Sequence, residues 1–205
     1  MPNPDTWTRF RYAVADVEGN GQRPPDLVEL SIALIDEGFV GDPLTWLVKP
    51  PRPITPLARR IHTISNEQVA SAPSAVELAP DIQAIFDGCI FVAHNAHVDL
   101  DVLTRELPGF RPAQIIDTLK LARRLLPGRP SYKLGALADE FDLTAELPAG
   151  LRSHRAAYDA LVCARLLAHL ASPPGAQPLP LAALLTSTEA SPRKGPTDDT
   201  AETLF

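Results

Sequence analysis

Cys89-Ile90-Phe91-Val92-Ala93 runs directly into His94-Asn95-Ala96-His97-Val98-Asp99, and the reading of this stretch decides the fold. The first five residues are wholly apolar, the pattern of a strand covered on both faces rather than on one. The chain then turns polar within one residue. Val98 to Leu107 has helical spacing and stops at Pro108-Gly109. Asp99 falls in the first turn of that helix, where the macrodipole favours an acidic side chain. That role explains Asp99 alone, not the His94-Asn95-Ala96 beside it.

Upstream, Arg9 to Glu18 (RFRYAVADVE) nearly alternates and ends at Gly19-Asn20-Gly21, a strand followed by a turn. Asp26 to Asp36 and Asp42 to Val48 read as two more strands, so the first part of the chain is an antiparallel meander. Thr55 to Ile61 and Val76 to Phe86 have helical spacing. Downstream, Gln114 to Ile116 is a brief strand, and Thr118 to Leu126, Lys133 to Phe141 and Ser153 to Leu170 are helices. A meander followed by strand and helix in alternation predicts an α/β fold, a mixed sheet of antiparallel and parallel strands flanked by helices. The expected domain covers residues 1–171. Residues 172–205, rich in Pro, Ser, Thr and Ala, read as a largely disordered tail.

The chain has 205 residues, 45% of them hydrophobic, which suits one domain with a real core. Only Cys89 and Cys163 are present, without zinc-type spacing, so neither a disulfide scaffold nor a structural zinc site is expected. No stretch is long enough to span a bilayer and the first residues carry no apolar targeting core, so a cytoplasmic protein is expected, with no membrane partner. The net charge of −6 counts against a nucleic-acid partner at first sight. Five basic residues between Asp117 and Asp139 (Lys120, Arg123, Arg124, Arg129 and Lys133), with no acidic one among them, run the other way. They form either a solvated face or a surface that tracks phosphates.

Three acidic clusters carry the chemistry. Asp16 and Glu18, two apart on a strand, point to one face. A D-x-E of this kind arises by chance about once in such a chain, so it decides nothing alone. Asp99 closes the second cluster. The third cluster, His154-Arg155-Ala156-Ala157-Tyr158-Asp159, opens the longest helix, with Ser153 or His154 expected near its N-cap. Asp159 lies in an apolar helix that must bury one face, and a buried carboxylate needs a partner such as a cation. Oxygen ligands suit hard divalent metals. No third His or Cys follows at a zinc spacing.

Jointly, D-x-E, H-N-A-x-x-D and H-R-A-x-x-D resemble the DEDDh 3′–5′ exonuclease family, in particular the proofreading epsilon-subunit type of bacterial DNA polymerase III. Ile61-His62-Thr63-Ile64, Ile116-Asp117-Thr118 and Tyr132-Lys133-Leu134 are similar to family text as well. The resemblance covers about Arg9 to Leu170. Two positions depart from it: Gly19 stands where the family usually has threonine, and Val98 where it usually has phenylalanine. The sister class with a catalytic tyrosine is disfavoured, because that tyrosine would fall at Arg155.

The resemblance implies an RNase H-like fold in which Asp16, Glu18, Asp99 and Asp159 hold two divalent ions, Mg²⁺ or Mn²⁺. His154 would be the general base for the attacking water, since histidine titrates near neutrality. Gly19, Asn95 and His62 would hold the terminal nucleotide. The expected substrate is nucleic acid with a free 3′ end, DNA before RNA, in proofreading or repair. RNA trimming, and a non-catalytic module that binds nucleic acid or a polymerase, are the alternatives. Leu204-Phe205 at the chain's end resembles a sliding-clamp-binding peptide, with Ala201 in place of the usual glutamine.

Overall fold

The computed structural model describes residues 5–185. Its sheet has five strands in the order β3-β2-β1-β4-β5. These are β1 (Tyr12–Gly19), β2 (Leu27–Asp36), β3 (Phe39–Leu47), β4 (Ile90–Ala93) and β5 (Ile115–Asp117). β1 pairs antiparallel with β2, and β2 with β3. β4 pairs parallel with both β1 and β5. The mixed sheet is therefore the one expected, with β4 as its apolar, fully buried strand.

Among the described residues are eight α-helices: α1 (Pro56–His62), α2 (Asn66–Val69), α3 (Ala75–Phe86), α4 (His97–Glu106), α5 (Thr118–Leu125), α6 (Leu134–Glu140), α7 (Ala156–Ala171) and α8 (Leu181–Leu184). β1 shows how they are distributed. Tyr12 and Val14 face a core shared with α5, α6, α7 and α8. Ala13, Ala15 and Val17 face a second core shared with α3 and α4. The period of two thus places one strand between two apolar layers. Each buried Val or Leu contributes about 1.5–3 kcal/mol to holding those layers.

The helix starts are locally encoded. Ser74 and Glu77 form a reciprocal capping box for α3. Asp117 caps α5, its side chain accepting from the Leu119 and Lys120 amides.

The expected domain end at 171 falls short. Leu179 N–H bonds the Ala171 carbonyl, Trp7 N–H bonds Leu179, and Leu181 N–H bonds Asp5. Leu184 is fully buried and Leu181 nearly so. Residues 173–185 are therefore folded onto the core, because two leucines one helical turn apart find an apolar seat beside Trp7. The rest of the expected tail, including Leu204-Phe205, lies outside the described residues. Among the described residues no helix is long and apolar enough to cross a membrane.

Candidate active site

β1 and α7 bring the first and third clusters together. Asp16 and Glu18 project from the face of β1 that carries Tyr12 and Val14 upstream. There the strand meets the first turn of α7 rather than its apolar length. That helix begins at Ala156 with Arg155 as N-cap, one to two residues later than expected, and places Asp159 in its first turn. Ligand oxygens of Asp16, Glu18 and Asp159 lie within 4.8 Å of one another.

Asp99, expected as a fourth member, does not join this group of three. It reaches the carboxyl end of the sheet from α4, on the opposite layer. It is 1% exposed, and neither carboxylate oxygen has a hydrogen-bond partner. A buried carboxylate without a donor is costly, and a hard cation is the partner that oxygens alone can satisfy.

The electrostatics agree. Burial, and then repulsion from Asp159, Asp99, Glu18 and Glu29, hold Asp16 well above the usual carboxylate range. Glu18 is raised by burial and by Asp159 and Glu29, while Arg155 pulls it down. Asp99 is raised chiefly by burial. Burial pushes Asp159 up to about 7, against the His154 amide that bonds it. Acids raised together by burial and by one another are a pattern found at functional sites.

A pocket of about 270 Å³ opens onto Asp16, Glu18 and Asp159 and is lined also by His154, Leu119, Lys133 and Leu134. His154 is exposed, has φ of 61°, and its backbone N–H donates to Asp159 Oδ2 at 3.1 Å. Asn95 also lines the pocket. It takes φ of 69°, and its amide donates to Asp117 Oδ1 at 3.2 Å.

Two expected contact residues stand elsewhere. His62 is fully buried and does not line the pocket. Its Nδ1 accepts from the Ile64 amide at 3.0 Å, so the ring closes the end of α1 instead. Gly19 is buried at a β-bulge after Glu18. His97 begins α4, exposed and away from the pocket lining.

The basic stretch is partly tied down inside the fold. Arg124 donates to the Ala183 carbonyl, and Arg129 pairs with Glu140. Arg123 lies over the Tyr132 ring at 5.9 Å. Lys133 lines the pocket, and Lys120 is exposed on α5.

Two groups to which the sequence assigned no role shape the site. His94, 8% exposed, bridges Thr118 Oγ1 (2.9 Å) and the Tyr132 carbonyl (3.0 Å). A carbonyl only accepts, so Nε2 carries the proton and Nδ1 accepts from the hydroxyl. Burial pushes this ring down to about 4. Through it, the segment bearing Lys133 and Leu134 is fastened to the end of β4. Glu29, 1% exposed, sits opposite Glu18 on β2 and binds Arg155. Its only sequence signal was an acid within an apolar strand, where a carboxylate must find a partner.

A five-stranded mixed sheet flanked by helices, with carboxylates gathered where β1 ends and α7 begins, defines the RNase H-like class of fold. Within that class, a family model described as RNase_T: Exonuclease matches residues 14–167, and the chain belongs to that family. Exodeoxyribonuclease 10 of Escherichia coli (strain K12) is 39% identical over 141 residues, 69% of this chain and 60% of that protein. The 3'-5' exonuclease DinG of Bacillus subtilis (strain 168) is 31% identical over 159 residues, 74% of this chain and 16% of the relative. The chain therefore spans less than two thirds of either relative. The solved structure of "Exonuclease X in complex with 5' overhanging duplex DNA" aligns with a TM-score of 0.65 and 37% identity, covering 78% of this chain and 90% of that one.

Proposed function

We propose that the protein is a metal-dependent 3′–5′ exonuclease that releases nucleoside monophosphates from the 3′ end of DNA. The observation that carries this reading is the meeting of Asp16, Glu18 and Asp159 within 4.8 Å, beside the partnerless buried Asp99. These four acids would hold two Mg²⁺ or Mn²⁺ ions. When bound, such ions neutralise charge on the attacking and leaving oxygens of a phosphodiester.

The chain's own residues do the rest. His154, exposed on the rim of the pocket and joined through its amide to Asp159, takes the proton from the attacking water. Asn95 contacts the terminal nucleotide from the end of β4. Leu119 and Leu134 offer aliphatic walls to a sugar or base, and Lys133 offers a positive charge to a phosphate. Gly19 and His62 act on the substrate only through the backbone they hold, since neither lines the pocket.

DNA is favoured over RNA because the names of the E. coli relative and the Exonuclease X complex refer to DNA. We place this activity in the cytoplasm, in proofreading or repair, within a domain that extends at least to Leu185. A contact of Leu204-Phe205 with a sliding clamp or polymerase is tested by pull-down before and after their deletion.

The deciding experiment compares 3′-labelled with 5′-labelled oligonucleotides, as single-stranded DNA, 5′-overhanging duplex and RNA, with Mg²⁺ or with chelator. Early release of label from the 3′-labelled DNA, abolished by chelator, is expected. Faster loss of RNA, or digestion that survives chelation, overturns the reading.

A further inference from the structure

We infer that Glu29 and Arg155 form a positioning clamp that sets the stance of His154 and Asp159 and keeps the Arg155 charge away from the cation-binding acids. The inference rests on the proposed function, on the roles of His154 and Asp159 for its kinetic part and on the acids as cation ligands for its binding part.

The β1–β2 register puts Glu18 and Glu29 directly opposite each other on one face. Two like charges there are unfavourable, and Glu29 is buried besides. Its carboxylate is nevertheless fully used. Oε2 accepts from Arg155 Nε at 3.0 Å and from the Ala156 amide at 3.0 Å, and Oε1 accepts from Arg155 Nη2. All three donors belong to the two residues that follow His154.

Ala156 is the first residue of α7, and Arg155 makes no side-chain cap of its own. A helix start leaves its first amides without partners and favours a negative charge. Glu29 meets both needs from another strand, 127 positions from the amide that it accepts. The forked guanidinium fixes direction as well as distance, which a lysine could not do. On its other side the same turn is held by the His154 amide on Asp159 Oδ2, with His154 in the left-handed region. The turn is thus fastened from below by Glu29 and from above by Asp159.

The pair also has an electrostatic role. Glu18 feels Glu29 and Arg155 with opposite sign. Asp16 and Glu18 on β1, Asp99 on α4, Asp159 on α7 and the α5 cap Asp117 all face this region as acids. Once Glu29 loses its charge, Arg155 is left as an unmatched cation beside Glu18 and competes with a divalent ion. Once Arg155 loses its charge, Glu29 adds to the negative field instead.

The two single variants should therefore move cation binding in opposite directions while both slow turnover. The full chain is prepared as wild type, Glu29→Gln, Arg155→Met and Arg155→Lys, with folding checked by circular dichroism. Mn²⁺ affinity is measured by calorimetry without nucleic acid, and kcat and KM are measured on 3′-labelled DNA at saturating Mn²⁺. Glu29→Gln should weaken Mn²⁺ binding about tenfold and lower kcat about 10–100-fold, with KM changed little. Arg155→Met should bind Mn²⁺ as tightly as wild type or tighter, with a comparable loss in kcat. Arg155→Lys, which keeps the charge and loses the fork, should keep Mn²⁺ affinity and still lose kcat. The proposal is overturned if Glu29→Gln and Arg155→Met shift Mn²⁺ affinity in the same direction, or if any folded variant retains wild-type kcat. A wild type that neither binds Mn²⁺ nor degrades DNA refutes the functional reading itself.

Discussion

Replacing Asp159 by asparagine should make the metal-free protein more stable while destroying its activity. Burial lifts this carboxyl from its ordinary 3.8 to about 7. A raised acid pKa means that the folded chain resists the ionised form, so the penalty is full above pH 7 and is relieved as pH falls toward 3.8. At about 1.4 kcal/mol per pH unit, the penalty at pH 8 is at most about 4 kcal/mol. Burial is the largest cause and a carboxyl in the first turn of a helix can shift toward solvent, so about 2 kcal/mol is the working figure. In a chain of this size that corresponds to roughly 4–8 °C in Tm. The substituted side chain keeps an oxygen that can accept from the His154 amide, so no bond is lost to offset the gain. Thermal unfolding followed by circular dichroism in chelator at pH 8 and pH 5 measures the effect. The advantage of Asp159→Asn should shrink to about a third at pH 5, where the native carboxyl is already protonated. Saturating Mn²⁺ at pH 8 should reverse the order, because a ligand at a hundred times its Kd adds about 2.7 kcal/mol to the wild type. A variant no more stable than wild type at pH 8 in chelator, or an advantage independent of pH, refutes the reasoning.

Three further outcomes are expected. His154→Ala should lower kcat by about 10²–10⁴ while DNA binding, measured by fluorescence anisotropy, stays nearly unchanged, and undiminished turnover would remove His154 from the mechanism. His94 sits near 4 in the fold, below its ordinary 6.5, so folding excludes a proton and this residue weakens the protein as pH drops between those values. The stability gap between wild type and His94→Asn in urea should therefore narrow by up to about 3 kcal/mol from pH 7 to pH 4, and a constant gap contradicts the neutral-ring bridge. Leu184→Ala should cost about 2–5 kcal/mol by emptying a fully buried site, whereas a loss under about 0.5 kcal/mol would mean that residues 173–185 do not belong to the folded unit.

The sheet was legible because its strands obey simple rules. Tyr12, Val14, Asp16 and Glu18 share a face by period two, and Ile90 to Ala93 are apolar on both faces because both are covered. Asp159 was legible as an acid in an apolar helix, and its meeting with Asp16 and Glu18 followed from the three motifs taken together. Other features depend on contacts that no local pattern carries. Glu29 reads as an ordinary polar position in DLVELSIALID, and its partner lies 126 residues away. His62 has the motif context of a substrate contact, yet its burial depends on how α1 rests against the end of β1. The segment after Ala171 reads as tail because proline and alanine content is a compositional signal, whereas the docking of residues 179–185 depends on distant contacts. The seat for Leu181 and Leu184 is built by Trp7 and α7 at the other end of the chain.

That seat also decides where the two ends of the described fold meet. The Trp7 indole bonds Ser172 at the far end of α7, and Thr6 bridges Pro180. The sixteen residues of α7 separate this knot from the carboxylates by about 24 Å of helix. Because Asp5 and Leu181 are already hydrogen-bonded neighbours, a chain trimmed to residues 5–185 could be spliced by a short linker and reopened at the exposed Asp87-Gly88 turn, at the other end of β4 from His94, as a circular permutant.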